Sequence, residues 1–205
     1  RDPVHRQSGG VAGEVELVPD ARGGVGAADP PAEPGEALQQ GHEHPLGEQL
    51  DPERLRALLA RYFERMRGIV ERYGGTVEKF IGDAVMAVFG VPVVHEDDAL
   101  RAVRAGAEMR DALPELELQG RIGVMTGEVV TGTEDWLAGD AVNVAARLEQ
   151  AAQPGEVLLG EPTLVLVRDA VEVEPVELLE LKGKLAPVPA YRLLRVLEAP
   201  ERQHE

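Results

Sequence analysis

The segment from Asp51 to Gly75 limits the fold more than any other. Asp51-Pro52 places a carboxylate at a helix N-cap and a proline at the first helical position, where its missing N–H costs nothing. Leu55, Leu58, Leu59, Tyr62, Phe63, Met66, Ile69 and Val70 then recur at spacings of three and four, which puts them in one apolar stripe. Gly74-Gly75 ends the helix. A long helix with a single apolar face needs a second layer to bury it.

The following residues supply that layer. Thr76–Ile81 and Ala84–Phe89 read as short strands around Gly82-Asp83, a glycine-first loop that suits a type II′ hairpin. A second helix is expected over 96–113, with Ala99, Val103, Met109 and Leu113 inward. Arg121–Val130 reads as a strand with a bend at Gly127, and Asp140–Ala152 as a third helix with Val142, Ala145 and Leu148 on one face. Glu156–Leu159, Val171–Val173, Val176–Leu181 and Ala190–Val196 are shorter strand candidates. The alternation of helices and hairpins predicts an α+β fold with helices packed on one sheet.

Residues 1–50 differ in kind. They hold no aromatic residue, and Gly plus Pro make up 15 of them, too little apolar surface to offset the entropy of ordering. The reading is a structureless tail over 1–50, with Val11 to Val18 a weak strand at most, an ordered domain over 51–196 and a tail over 197–205. A formal net charge of -16 argues against a nucleic-acid-binding face and against docking on anionic lipid. No cysteine is present, so disulfides and thiolate metal sites are excluded. No apolar run has the length of a membrane span. These features are those expected of a cytoplasmic protein.

Four groups of residues carry possible chemistry. Asp83 at a hairpin tip is placed to meet a divalent cation, and Lys79 stands four residues before it; an ordinary turn aspartate and strand lysine fit the same pattern. Asn143 and Arg147 share a helix face, where an amide and a guanidinium can hold a nucleotide edge and a phosphate, or simply meet solvent. Lys182 and Lys184 flank Gly183 in an apparent loop. His42-Glu43-His44 has metal-ligand residue types but no further ligand nearby.

Taken in order, Lys79 to Gly90, His95-Glu96-Asp97-Asp98-Ala99, Arg121 to Gly132, Gly139 to Arg147 and Leu181 to Lys184 resemble the catalytic domain of class III adenylate/guanylate cyclases. Pro187 to Leu194 is similar to bacterial members in which the cyclase precedes an ATPase module. The resemblance implies a ferredoxin-like βαββαβ core with extra strands, working as a homodimer or as a heterodimer with another cyclase domain. It also implies formation of a 3′,5′-cyclic nucleotide and pyrophosphate from ATP or GTP, with cAMP favoured over cGMP, using Mg²⁺ or Mn²⁺. On this resemblance Asp83 is a metal ligand and Lys79 contacts the purine. Asn143 orients the nucleotide, Arg147 stabilises the transition state, and Lys182 or Lys184 holds the triphosphate.

The chain departs from that family in two places. The first metal aspartate normally ends an apolar first strand in a Phe-x-Asp-x-x-Gly-x-Thr pattern, yet Leu38 to Gly47 contains nothing of the kind. The first strand is therefore expected to be missing or replaced. The Thr133-Glu134-Asp135-Trp136-Leu137-Ala138 stretch also lacks a clear second base-contacting residue. With one metal carboxylate gone, the alternative is a non-catalytic nucleotide-binding or dimerisation module. If Gly41-His42-Glu43-His44 is encoded GGG-CAC-GAG-CAC, a one-base shift reads Gly-Thr-Ser-Thr. That resembles the lost Gly-x-Thr and suggests a change of reading frame near Pro45.

Overall fold

The computed structural model describes residues 5–19, 51–131, 137–176 and 187–197. β1 is His5–Pro19, and α1, Pro52–Arg72, follows. β2 (Thr76–Ile81) and β3 (Ala84–Phe89) form the hairpin, with the limits its sequence suggests. α2 is Asp98–Ala112, β4 Leu118–Thr131, β5 Leu137–Ala138 and α3 Asp140–Ala151. β6 (Val157–Gly160), α4 (Glu161–Val167), β7 (Val171–Pro175) and β8 (Ala190–Val196) complete the order. The sequence pattern leaves α4 and β5 unannounced. Residues 177–186, which hold most of the strand expected at Val176–Leu181, lie outside the described residues.

The sheet runs β2-β3-β1-β4-β6-β8-β7, with β5 on β4. β1 is antiparallel to both β3 and β4, and β4 is parallel to β6. The β2-β3-β1-β4 part, with α1 and α2 as crossovers, is the expected ferredoxin-like core. The expectation that 1–50 lacks structure does not hold for His5–Pro19, which occupies the centre of the sheet. Its register puts Val11 opposite Phe89 and Val15 opposite Val85 on one side, and Val15 opposite Ile122 on the other. The first strand is thus replaced rather than missing. A local reading finds only a weak strand at Val11 to Val18 because the partners lie more than sixty residues away in the chain, and pairing on both edges supplies the hydrogen bonds its own composition does not advertise. Residues 20–50 and 198–205 lie outside the described residues.

α1 begins and ends as its sequence dictates. The Asp51 carboxylate accepts from the Glu53 N–H at 3.0 Å. At the other end Gly74 N–H donates to the Glu71 carbonyl and Gly75 N–H to the Val70 carbonyl, the paired bonds of a Schellman termination. Tyr62, Met66, Ile69 and Val70 are buried, while Leu55, Leu58, Leu59 and Phe63 pack at the margin. Each fully buried side chain of this kind contributes about 1.5–3 kcal/mol.

Helices cover both faces of the sheet. α1 and α2 lie over Val85, Ala87 and Phe89 of β3 and Ile122 and Val124 of β4. α3 lies on the opposite face, where Ala141 and Ala145 meet Met86 and Val88, and Val144 and Leu148 meet Leu158. β3 is buried at all six positions because it is covered on both sides, which is why it reads as a continuous apolar run.

Candidate functional site

The β2–β3 turn carries the first pair of candidates. Gly82 takes φ 62°, and Asp83 is not among the residues with positive φ, which agrees with a type II′ turn. Asp83 is half-buried at the tip. The hairpin is anchored from behind: the Phe80 ring meets Phe63 of α1 with centroids 4.5 Å apart, and the Arg67 guanidinium lies 5.3 Å from the Phe80 ring centre. Because neighbouring strand residues alternate in direction, the inward Phe80 turns Lys79 to the other side. Lys79 is exposed and stands opposite Met86, whose side chain packs against α3. Lys79 is therefore on the sheet face that α3 covers.

The second pair sits on α3 itself. Ala141, Val144, Ala145 and Leu148 face the sheet and leave Asn143 exposed and Arg147 half-buried on the flank, one turn apart. No ion pair or hydrogen bond of the Arg147 side chain is found among the described residues. Elsewhere in this acidic chain, Arg65, Arg72, Arg101, Arg192 and Arg195 each meet a carboxylate. A guanidinium kept clear of carboxylates is available for a phosphate.

The structure therefore joins Lys79 with Asp83 on one hairpin and Asn143 with Arg147 on one helix. The two stations meet through the Met86, Val88, Ala141 and Ala145 cluster. Lys182, Lys184, His42-Glu43-His44 and residues 132–136 lie outside the described residues, as do Leu38 to Gly47.

The acidic run before α2 has a structural role. The Asp98 carboxylate is buried and accepts from the His95 N–H at 2.6 Å, with the His95 Nδ1 3.4 Å away. Asp97 pairs with Arg101 at 2.9 Å, and that charged hydrogen bond holds its carboxyl below the usual range. The Asp98 contacts tie α2 to the loop before it. Among the described residues no group of three or more His, Asp or Glu is placed to hold a metal ion.

One ion pair is absent from the sequence reading: Glu149 is buried on α3 and meets Arg121 of β4 at 3.1 Å. A Glu two positions after Arg147, next to the inward Leu148, is the local signal, though spacing alone does not name its partner.

Comparison with known proteins bears on what this arrangement is. The family profile described as the adenylate and guanylate cyclase catalytic domain matches residues 43–194. An uncharacterized protein of Mycobacterium tuberculosis is 37% identical over 152 residues, covering 72% of this chain and 37% of the relative. Adenylate cyclase 1 of Rhizobium meliloti is 29% identical over 175 residues, covering 75% of this chain and 26% of that protein. The chain thus spans well under half the length of these relatives. Among solved structures, the adenylyl cyclase CyaB from P. aeruginosa superposes with a TM-score of 0.78 at 27% identity, covering 94% of this chain and 96% of that one. The guanylyl cyclase Cya2 gives 0.76 at 28% identity, covering 97% of each.

Proposed function

Because this chain belongs to the adenylate and guanylate cyclase catalytic-domain family, we propose that it binds a purine nucleoside triphosphate and closes it to the 3′,5′-cyclic monophosphate, ATP in preference to GTP. The observation that supports this reading is the α3 flank. Asn143 and Arg147 stand one turn apart there, and the guanidinium is unclaimed by any carboxylate among the described residues. In the reaction the ribose 3′-oxygen attacks the α-phosphorus. The new O–P bond forms as the bond to the bridging oxygen breaks, pyrophosphate leaves, and the hydroxyl proton passes to solvent. Negative charge gathers on the transferring phosphoryl group, and a positioned guanidinium is worth most at that point. In this assignment Arg147 meets that charge and Asn143 orients the nucleotide. Lys79 contacts the purine, and Lys182 or Lys184 steadies the triphosphate. In a site shared between two such domains, one domain would supply the hairpin station and the other the α3 station.

A second reading is favoured by the donor set. Among the described residues no group of three or more His, Asp or Glu is placed to hold a metal ion, and the resemblance assigns Asp83 alone as a metal carboxylate. A domain in that state serves as a nucleotide-binding or dimerisation module without turnover. Incubation with ATP or GTP and Mn²⁺, followed by chromatography for cyclic nucleotide, separates the two. Formation of cAMP supports the first reading, and formation of cGMP alone reverses the base preference. Nucleotide binding without any cyclic product leaves the second.

A further inference from the structure

Besides the apolar packing of Ala141, Val144, Ala145 and Leu148, two features hold α3 to the sheet. Gly123 and Gly127 of β4 lie on one face of the strand, with the helix backbone at Ala145 and Glu149 resting on the first and Ala141 on the second. Such a bare track lets the helix sit close but does little to stop it sliding or turning, because small residues offer few interlocking features. The Arg121–Glu149 pair supplies a specific contact instead. Arg121 Nε lies 3.1 Å from Glu149 Oε1, an ion pair without hydrogen-bond geometry at those two atoms, with the Glu149 side chain 4% exposed and that of Arg121 26% exposed.

Glu149 is poorly placed for stability alone. It stands in the last turn of α3, where a carboxylate opposes the helix dipole, and its burial removes its hydration. An apolar side chain of similar size would avoid both costs. Geometric specificity is an attested role for a buried ion pair of this kind. Glu149 is two residues from Arg147 on the same helix, and Arg121 is two residues from Gly123 on the same strand.

We propose that Arg121 and Glu149 are positioning residues that set the rotation and axial register of α3 on β4, and so place the Asn143 amide and the Arg147 guanidinium. This rests on the reading that those two groups receive the nucleotide. The chain has no cysteine, so spin labels can be attached cleanly at Gln150→Cys on α3 and Arg56→Cys on α1. Pulsed electron spin resonance then reports how α3 sits relative to the rest. In Glu149→Leu the thermal midpoint is expected to fall, since Arg121 loses its partner, while the label distance distribution shifts or broadens. In a preparation that turns over nucleotide, kcat is expected to fall about tenfold with KM within about twofold. The exchanged pair, Arg121→Glu with Glu149→Arg, is expected to restore both. Should Glu149→Leu not fold, Glu149→Gln carries the same measurements. An unchanged distance distribution in the folded variant overturns the proposal. Absence of turnover in the unmodified chain counts against the cyclase reading alone, since the distance measurement does not depend on activity.

Discussion

Gly123 of β4 and Ala145 of α3 are in backbone contact: a Cβ built on Gly123 would lie 2.1 Å from the Ala145 carbonyl oxygen and 2.6 Å from the Glu149 nitrogen. Neither atom belongs to a flexible side chain, so relief requires the helix to move. Gly123→Ala is expected to destabilise the domain by about 3 kcal/mol or more in urea unfolding. Gly106 of α2 is the control. Its added Cβ would meet side-chain carbons of Ile122, Val157 and Val124 at 3.5–3.7 Å. Gly106→Ala should be neutral or stabilising by up to about 1 kcal/mol, from helix propensity. Equal losses at the two sites would contradict this account of α3's seat.

Removal of residues 1–50 tests the central strand. β1 pairs with β3 on one edge and β4 on the other. Without it both strands lose a hydrogen-bonded neighbour in the middle of the sheet, and each unmet buried backbone group costs about 1–3 kcal/mol. The chain beginning at Asp51 is expected to lose cooperative thermal unfolding and dispersed amide resonances. A sharp melt close to that of the full chain would show that β1 is dispensable.

The two stations of the candidate site should respond differently to substitution. Asp83→Ala is expected to abolish metal-dependent turnover, since a cation ligand is needed in every bound state. Arg147→Ala is expected to lower kcat by about a hundredfold with a smaller change in KM, because a guanidinium matters most where charge develops. Steady-state kinetics decide it: a rise in KM at constant kcat would remove Arg147 from the transition state.

The coding DNA upstream of Leu46 offers an independent check. The family match starts at residue 43, so β1 lies outside it, with residues 20–50 between β1 and α1. If the frame changes near Pro45, another frame is expected to read an apolar run ending in Phe-x-Asp shortly before Gly-Thr-Ser-Thr. Restoring that frame should raise Mn²⁺-dependent turnover and supply a second carboxylate near Asp83. If no frame contains such a run, the chain is a natural one-carboxylate variant and the non-catalytic reading takes precedence.

Much of the fold was legible residue by residue. The Asp51 cap, the α1 stripe, the Gly74-Gly75 stop, the hairpin limits and β8 all follow from patterns within a few residues of one another. The elements that carry Lys79, Asp83, Asn143 and Arg147 were legible too, while the roles of those residues rest on the resemblance. β1 was legible only as a weak strand over Val11 to Val18, since a segment poor in aromatics and rich in glycine becomes a full strand only when β3 and β4 supply partners on both edges. Glu149 was not legible as a buried residue, because its burial depends on Arg121 and on the glycine track beneath α3. The amino-acid sequence by itself determined where helices and hairpins begin and end, through caps, turns and periodicity that act over one or two turns. The tertiary structure alone decided which segment fills the sheet's centre and how α3 is seated, because backbone pairing and burial are set by residues far apart in the chain.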